Sequence, residues 1–219
     1  MKILLVAVDA KFIHTNLAVR SLRAYSGEYK DHIHIAQFSI NNTKEEILRG
    51  IYLEQPDVAA FSCYIWNISI ILQIAENLKK VKPEVKVWLG GPEVSYNPEE
   101  YLDKYKEIDG IMIGEGERTF YELVRYYLGQ DPDLSRIKGI AYRDSACIRV
   151  FGDNKDKNIG ETGIDNEISG GEYKAVYSGI KNSCRGTEIT VTSPREPLPL
   201  DEIPFPYADI SNLKNKIIY

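Results

Sequence analysis

Five times between residues 3 and 127, a short apolar run is followed by a helical stripe, a stretch whose apolar positions recur every three or four residues. The runs are Ile3 to Val8, His32 to Phe38, Val58 to Phe61, Val85 to Leu89 and Ile111 to Ile113. An apolar run without alternation suits a strand buried on both faces, the usual state of a parallel sheet covered by helices. The stripes include Leu17, Ala18, Leu22 and Tyr25, then Ile47, Leu48, Ile51 and Tyr52. Ile68, Ile71, Leu72, Ala75 and Leu78 follow, and finally Phe120, Leu123, Val124 and Tyr127. Thr43 with Glu46 three residues later forms a capping box, and Asn67 can cap the next helix. Asn97 and Pro98 suit the N-cap and first position of a short helix. Successive βα units predict an α/β fold: a flavodoxin-like, doubly wound, five-stranded parallel sheet of order 2-1-3-4-5.

The rhythm stops after Gly129. Ile137 to Arg143 and Cys147 to Phe151 read as a β-hairpin turning near Asp144 and Ser145. Residues 152 to 188 are rich in Gly, Asn, Asp and Lys and predict loops, with a weak strand around Tyr173 to Tyr177. Pro194, Pro197, Pro199, Pro204 and Pro206 then favour an extended linker crossing a surface. The expected organisation is a domain over 1–129, a hairpin and irregular appendage over 130–193, and a Pro-rich linker over 194–219. The apolar Lys216 to Tyr219 end suggests a piece of a longer protein.

A net charge of -5 gives no basic footprint, which disfavours nucleic acid as a partner. Cys63, Cys147 and Cys184 form no CxxC pair, so a zinc site or a disulfide framework is not expected. The first apolar run is too short for a membrane span or a signal segment, and the expectation is a cytoplasmic protein.

In an open doubly wound sheet, ligands bind beyond the carboxyl ends of the strands at the switch point. The loops there are Asp9 to Asn16, Ser62 to Asn67, Gly90 to Tyr96 and Gly114 to Thr119. A dinucleotide would want GxGxxG after the first strand, where this chain has Asp-Ala-Lys-Phe-Ile-His-Thr. A phospho-receiver would want an Asp ending the third strand, where Ser62-Cys63 stands. The loops instead offer small residues: Ser62 after the third strand, Gly90-Gly91 after the fourth and Gly114 after the fifth. Such residues let a bulky ligand approach the sheet and pass a substituent between strand and helix.

Leu89-Gly90-Gly91-Pro92-Glu93-Val94-Ser95 and Gly110 to Phe120, with its Gly114-Glu115-Gly116, resemble the cobalamin-binding domain fused to radical SAM barrels. The nearest group is that of the anaerobic magnesium-protoporphyrin IX monomethyl ester oxidative cyclase. The likeness covers residues 1 to about 128 and extends loosely through Pro197 to Pro206, which looks like that group's linker. It implies that cobalamin is held by His14, Thr15, Asn16, Ser62, Cys63, Tyr64, Gly90, Gly91, Pro92, Glu93, Gly114, Glu115 and Gly116. Tyr64 and Trp66 would sit where an aromatic could floor the corrin ring. It further implies a partner, a C-terminal radical SAM domain of the same protein with a [4Fe-4S] cluster, S-adenosylmethionine and a small-molecule substrate. The chemistry would be methyl transfer or oxidative cyclisation.

Two departures shape that expectation. Cobalamin domains of the common type carry DxHxxG, whose His ligates cobalt; here Asp9 and His14 are five positions apart and Leu17 stands in place of the Gly. Binding base-off without a lower His is therefore expected, and His14-Thr15-Asn16 has the plainer role of capping the first helix. The signature CxxxCxxC is absent, so this chain does not itself hold the cluster and is not catalytic alone. A non-catalytic cobalamin sensor, or another ligand-binding module on the same fold, is the alternative.

Overall fold

The computed structural model describes residues 1–11, 15–131, 133–144 and 188–207. Its strands are β1 (Ile3–Asp9), β2 (Ile33–Ser39), β3 (Val58–Ser62), β4 (Lys86–Gly90), β5 (Gly110–Met112), β6 (Ile140–Asp144) and β7 (Glu188–Val191). Its helices are α1 (Leu17–Tyr25), α2 (Lys44–Glu54), α3 (Ile68–Val81), α4 (Pro92–Ser95), α5 (Pro98–Lys104) and α6 (Glu117–Tyr127). They make one α/β sheet of order β2-β1-β3-β4-β5-β6-β7. The first five strands are parallel in the expected order, and β6 and β7 extend the sheet antiparallel.

That extension corrects the five-stranded sheet with a separate hairpin. β6 lies between β5 and β7, with Ile111 opposite Ala141 and Ala141 opposite Val191. The partner of β6 is thus Glu188–Val191, far along the chain; Cys147 to Phe151 and Tyr173 to Tyr177 lie outside the described residues. The physical reason is edge protection: without β6, the short β5 would present unpaired backbone groups along its outer side.

Both faces of the central strands are buried, as the unalternating runs require. Leu4, Val6, Val8, Ala59, Phe61, Val87 and Leu89 pack with Ile47, Ile51, Ile71, Ile74 and Leu78 of α2 and α3. Ile3, Leu5, Ala7, Val58, Ala60 and Trp88 point the other way, against Val19 of α1 and Phe120, Leu123 and Val124 of α6. Each fully buried Val, Leu, Ile or Phe side chain among them contributes about 1.5–3 kcal/mol. Trp88 has a made place: a Cβ on Gly110, its cross-strand partner, would lie 2.5 Å from the indole, and the indole N–H donates to Tyr127 Oη at 2.7 Å.

The Thr43–Glu46 capping box forms at α2. Pro92–Ser95 adds a single-turn helix that the sequence pattern did not suggest, placing Pro92 and Glu93 on α4. Among the described residues no helix is long and apolar enough to cross a membrane.

Candidate functional site

A cleft of about 100 Å³ opens at the carboxyl ends of the central strands, on the face covered by α1 and α6. Its walls are Leu5 and Ala60 of the sheet, Ala18, Val19 and Leu22 of α1, and Met112 of β5. Ser62, Tyr64, Gly90, Gly91, Gly114, Gly116 and Glu117 complete it. The cause is side-chain size: Ala60 and Gly90 put little between sheet and helices, and Ala18 puts little on the helix side. Nothing within 4 Å would meet a Cβ on Gly114, so the space beyond the end of β5 is open.

The loops around the cleft are stapled by polar contacts. Asn16 caps α1 by accepting from Val19 N, and its amide donates to Asp9 Oδ1 and Ser62 Oγ, each at 3.2 Å. Gln37 donates to the other Asp9 oxygen. Asn67 is fully buried and donates to the carbonyls of Val8 and Ser62, each at 3.0 Å, while accepting from Tyr64 N at 2.8 Å. It is the residue before α3, as expected, but its side chain makes no capping bond; it locks the ends of β1 and β3 together. Cys63 N donates to Gly90 O at 2.7 Å. Ser95 Oγ donates to Gly91 O and accepts from Gly114 N, joining the loops after β4 and β5.

The structure therefore brings Ser62, Tyr64, Gly90, Gly91, Gly114 and Gly116 to one cleft. Thr15 and Asn16 lie in the loop before α1, and Asn16 reaches Ser62. Cys63 is wholly buried behind that surface, and burial pushes its thiol up to about 12, so it is a neutral packing group. Gly91 has a structural cause: its φ is 115° and a Cβ there would lie 2.5 Å from Cys63 O. Glu115 turns away and accepts from Leu198 N at 3.0 Å. Pro92 and Glu93 open α4, and the Glu93 carboxylate adds to the upward push on the Cys63 thiol. His14 lies outside the described residues.

Leu5, Ala18, Val19, Leu22, Ala60 and Met112 escaped the reading of loops because they belong to strands and helices. Their signal was the alternation of facing directions along each strand, which places Leu5 and Ala60 on the α1/α6 side. Glu117, an acidic residue in the first turn of α6, accepts from Ser21 Oγ at 2.7 Å and ties α6 to α1 beside the cleft.

Near the cleft mouth, the Tyr64 and Trp66 rings stack with centroids 4.5 Å apart and 5° between planes. Trp66 is 47% exposed, and Leu17 at the start of α1 and Ile65 and Tyr96 in loops are also exposed at this end of the sheet. Burial and the nearby Asp9 carboxylate raise the Tyr64 phenol above its ordinary range, so it is a neutral hydroxyl at physiological pH. The arrangement can hold an apolar group between sheet and helices and a larger flat group above it.

This is the architecture of an α/β domain that takes a ligand at a switch point, with a slot cut into one face of the sheet. The B12 binding domain family matches residues 3–124, and the chain belongs to that family. It is 36% identical over 99 residues to the cobalamin-dependent radical SAM methyltransferase TokK of Streptomyces tokunonensis, covering 45% of this chain and 14% of TokK. It is 30% identical over 107 residues to the uncharacterized methyltransferase PH0819 of Pyrococcus horikoshii, covering 49% and 23%. The cobalamin-dependent S-adenosylmethionine radical enzyme OxsB, solved with aqua-cobalamin and S-adenosylmethionine, shares the fold with a TM-score of 0.64 at 16% identity. That likeness covers 97% of this chain and 25% of OxsB. The chain spans less than a quarter of the length of these curated relatives.

Proposed function

We propose that this chain is the cobalamin-holding domain of a larger B12-dependent radical SAM protein, and that the protein transfers methyl groups. The observation that carries the reading is the apolar slot at the ends of β1, β3, β4 and β5, framed by small residues. Its walls fit the group: Leu5, Ala60, Val19, Leu22 and Met112 suit an apolar base, while Ser62, Tyr64 and the open space at Gly114 suit the polar chain leading to it. Gly90, Gly91, Gly114 and Gly116 keep the mouth clear, with Thr15, Pro92, Glu93 and Glu115 around it. The Tyr64–Trp66 stack offers the corrin a flat apolar support. When bound, cobalamin supplies a cobalt centre able to carry a methyl group or an electron.

The domain's own work is to bind, orient and keep water from the base. Asp9 accepts from Asn16 and Gln37, and the sequence lacks the DxHxxG spacing, so we assign base-off binding without a lower His. A [4Fe-4S] cluster and S-adenosylmethionine belong to a barrel outside this chain. Methyl transfer is favoured over oxidative cyclisation because the TokK and PH0819 matches are both named methyltransferases.

Hydroxocobalamin mixed with the chain should shift its visible spectrum and stay with the protein through desalting; free passage of the cofactor would overturn the reading. Reduced to cob(II)alamin on 15N-labelled protein, it should show no splitting from a protein nitrogen in its EPR spectrum. Such a splitting would reject the ligand-free lower face.

A further inference from the structure

The staples around the slot run from the β1 loop to β3, from β3 to β4, and from β4 to the loop after β5. From the β5 loop back to the start of α1, the Ser21–Glu117 bond between the two helices is supplemented by residues 193–207. Ser193 O accepts from Gly139 N at 2.9 Å, and Gly139 O accepts from Ile113 N at 2.8 Å, so the segment is tied to the end of β5. The Arg195 guanidinium then donates to Thr119 Oγ1 at 2.9 Å, to Lys138 O at 3.2 Å and to both oxygens of Glu122. Its side chain is only 10% exposed. Leu198 N holds Glu115, between the two slot glycines Gly114 and Gly116. Tyr207, buried at the far end, meets Thr15 Oγ1 at 3.0 Å just before α1.

The geometry points to this segment as a strap that closes the ring of loops around the slot, with Arg195 as the positioning residue that anchors it. This rests on the cofactor reading above and adds to it a part of the site that lies outside the residues matched by the family. A guanidinium fork suits this place, because its five N–H groups serve four acceptors where a lysine ammonium has three donors. The strap fixes two slot walls at once, the Gly114–Gly116 loop through Glu115 and the start of α1 through Thr15. A free linker would leave the two loops coupled only through the Ser21–Glu117 bond between α1 and α6, and a slot whose walls move binds a rigid group more weakly.

The test uses the 219-residue chain and reads two quantities. Without ligand, Arg195→Ala should speed amide hydrogen exchange over residues 112–118 and 15–19 by at least about tenfold, as local opening becomes easier. It should raise the Kd for hydroxocobalamin by at least about tenfold, with Arg195→Lys between it and wild type. Tyr207→Phe, which cuts only the link to Thr15, should speed exchange at 15–19 and leave 112–118 unchanged. Lys106→Ala, which removes an exposed ion pair with Asp103, is the control and should change neither quantity. If Arg195→Ala does not fold, Thr119→Ala and Tyr207→Phe carry the test. The proposal is overturned if exchange and Kd in the folded variants stay within about twofold of wild type, an affinity change too small to mark a positioning role. Should wild type fail to bind hydroxocobalamin, the cofactor reading falls while the exchange measurements still decide whether the strap holds the loops.

Discussion

Gly91 and Cys63 show how a site residue and a packing residue can be neighbours and still have separate causes. At Gly91 a Cβ would meet the Cys63 carbonyl on a backbone that only glycine adopts readily. Gly91→Ala should therefore lose at least about 1–3 kcal/mol in urea unfolding, whether or not cofactor is present. Gly90 is different, since a Cβ there would meet the movable end of Met112 at 3.2 Å. Cys63 makes a prediction in pH. Burial raises its thiol from 9.0 to about 12, so the folded chain keeps the proton after the unfolded chain has lost it. The associated stability is complete below pH 9 and falls as pH rises toward 12. Urea midpoints measured across that range should fall less steeply in Cys63→Ala than in wild type, and equal slopes would contradict the burial argument.

At the scale of elements, the ends of β1 and β3 are held by one side chain. Asn67 satisfies two carbonyls and one N–H at a fully buried position, where an unpaired group costs about 1–3 kcal/mol. Asn67→Ala should destabilise the chain by about 3 kcal/mol in chemical denaturation. A loss no larger than that of a surface substitution would mean that the strand ends are fixed by other contacts. The βα units themselves were legible because burial on both faces leaves a continuous apolar run and a helix leaves a 3–4 spacing. Strand limits differ by about a residue from the apolar runs, as at Lys86–Gly90 and Gly110–Met112. The role of Asn67 was not legible, because a capping Asn and a buried bridging Asn look alike in sequence.

For the whole molecule, the slot exists because Ala60 of β3, Gly90 of β4 and Ala18 of α1 are small residues at one level. Filling it should abolish its use without unfolding the sheet. Ala18 is half-buried on the slot side of α1, so Ala18→Phe adds a ring to the space and not to the core. It should weaken hydroxocobalamin binding at least tenfold, about 1.4 kcal/mol, with little change in the melting temperature. Retained binding would place the base elsewhere. The expected site was partly legible for the same reason: Ser62, Gly90, Gly91 and Gly114 lie at strand ends that topology brings together. Leu5, Val19 and Met112 needed the register of strands and the roll of α1.

The sequence by itself determined the alternation of strands and helices, the order of the five parallel strands and the set of loops at the switch point. These follow from local periodicity and from rules of handedness and connection that depend on few residues. Only the tertiary structure decided that β6 pairs with Glu188–Val191, that Asn16 and Asn67 lock β1 to β3, and that Arg195 and Tyr207 tie a proline-rich segment to α6 and to the residue before the α1 cap. Those contacts join residues far apart in the chain, and their stability comes from burial and geometry that no local pattern records.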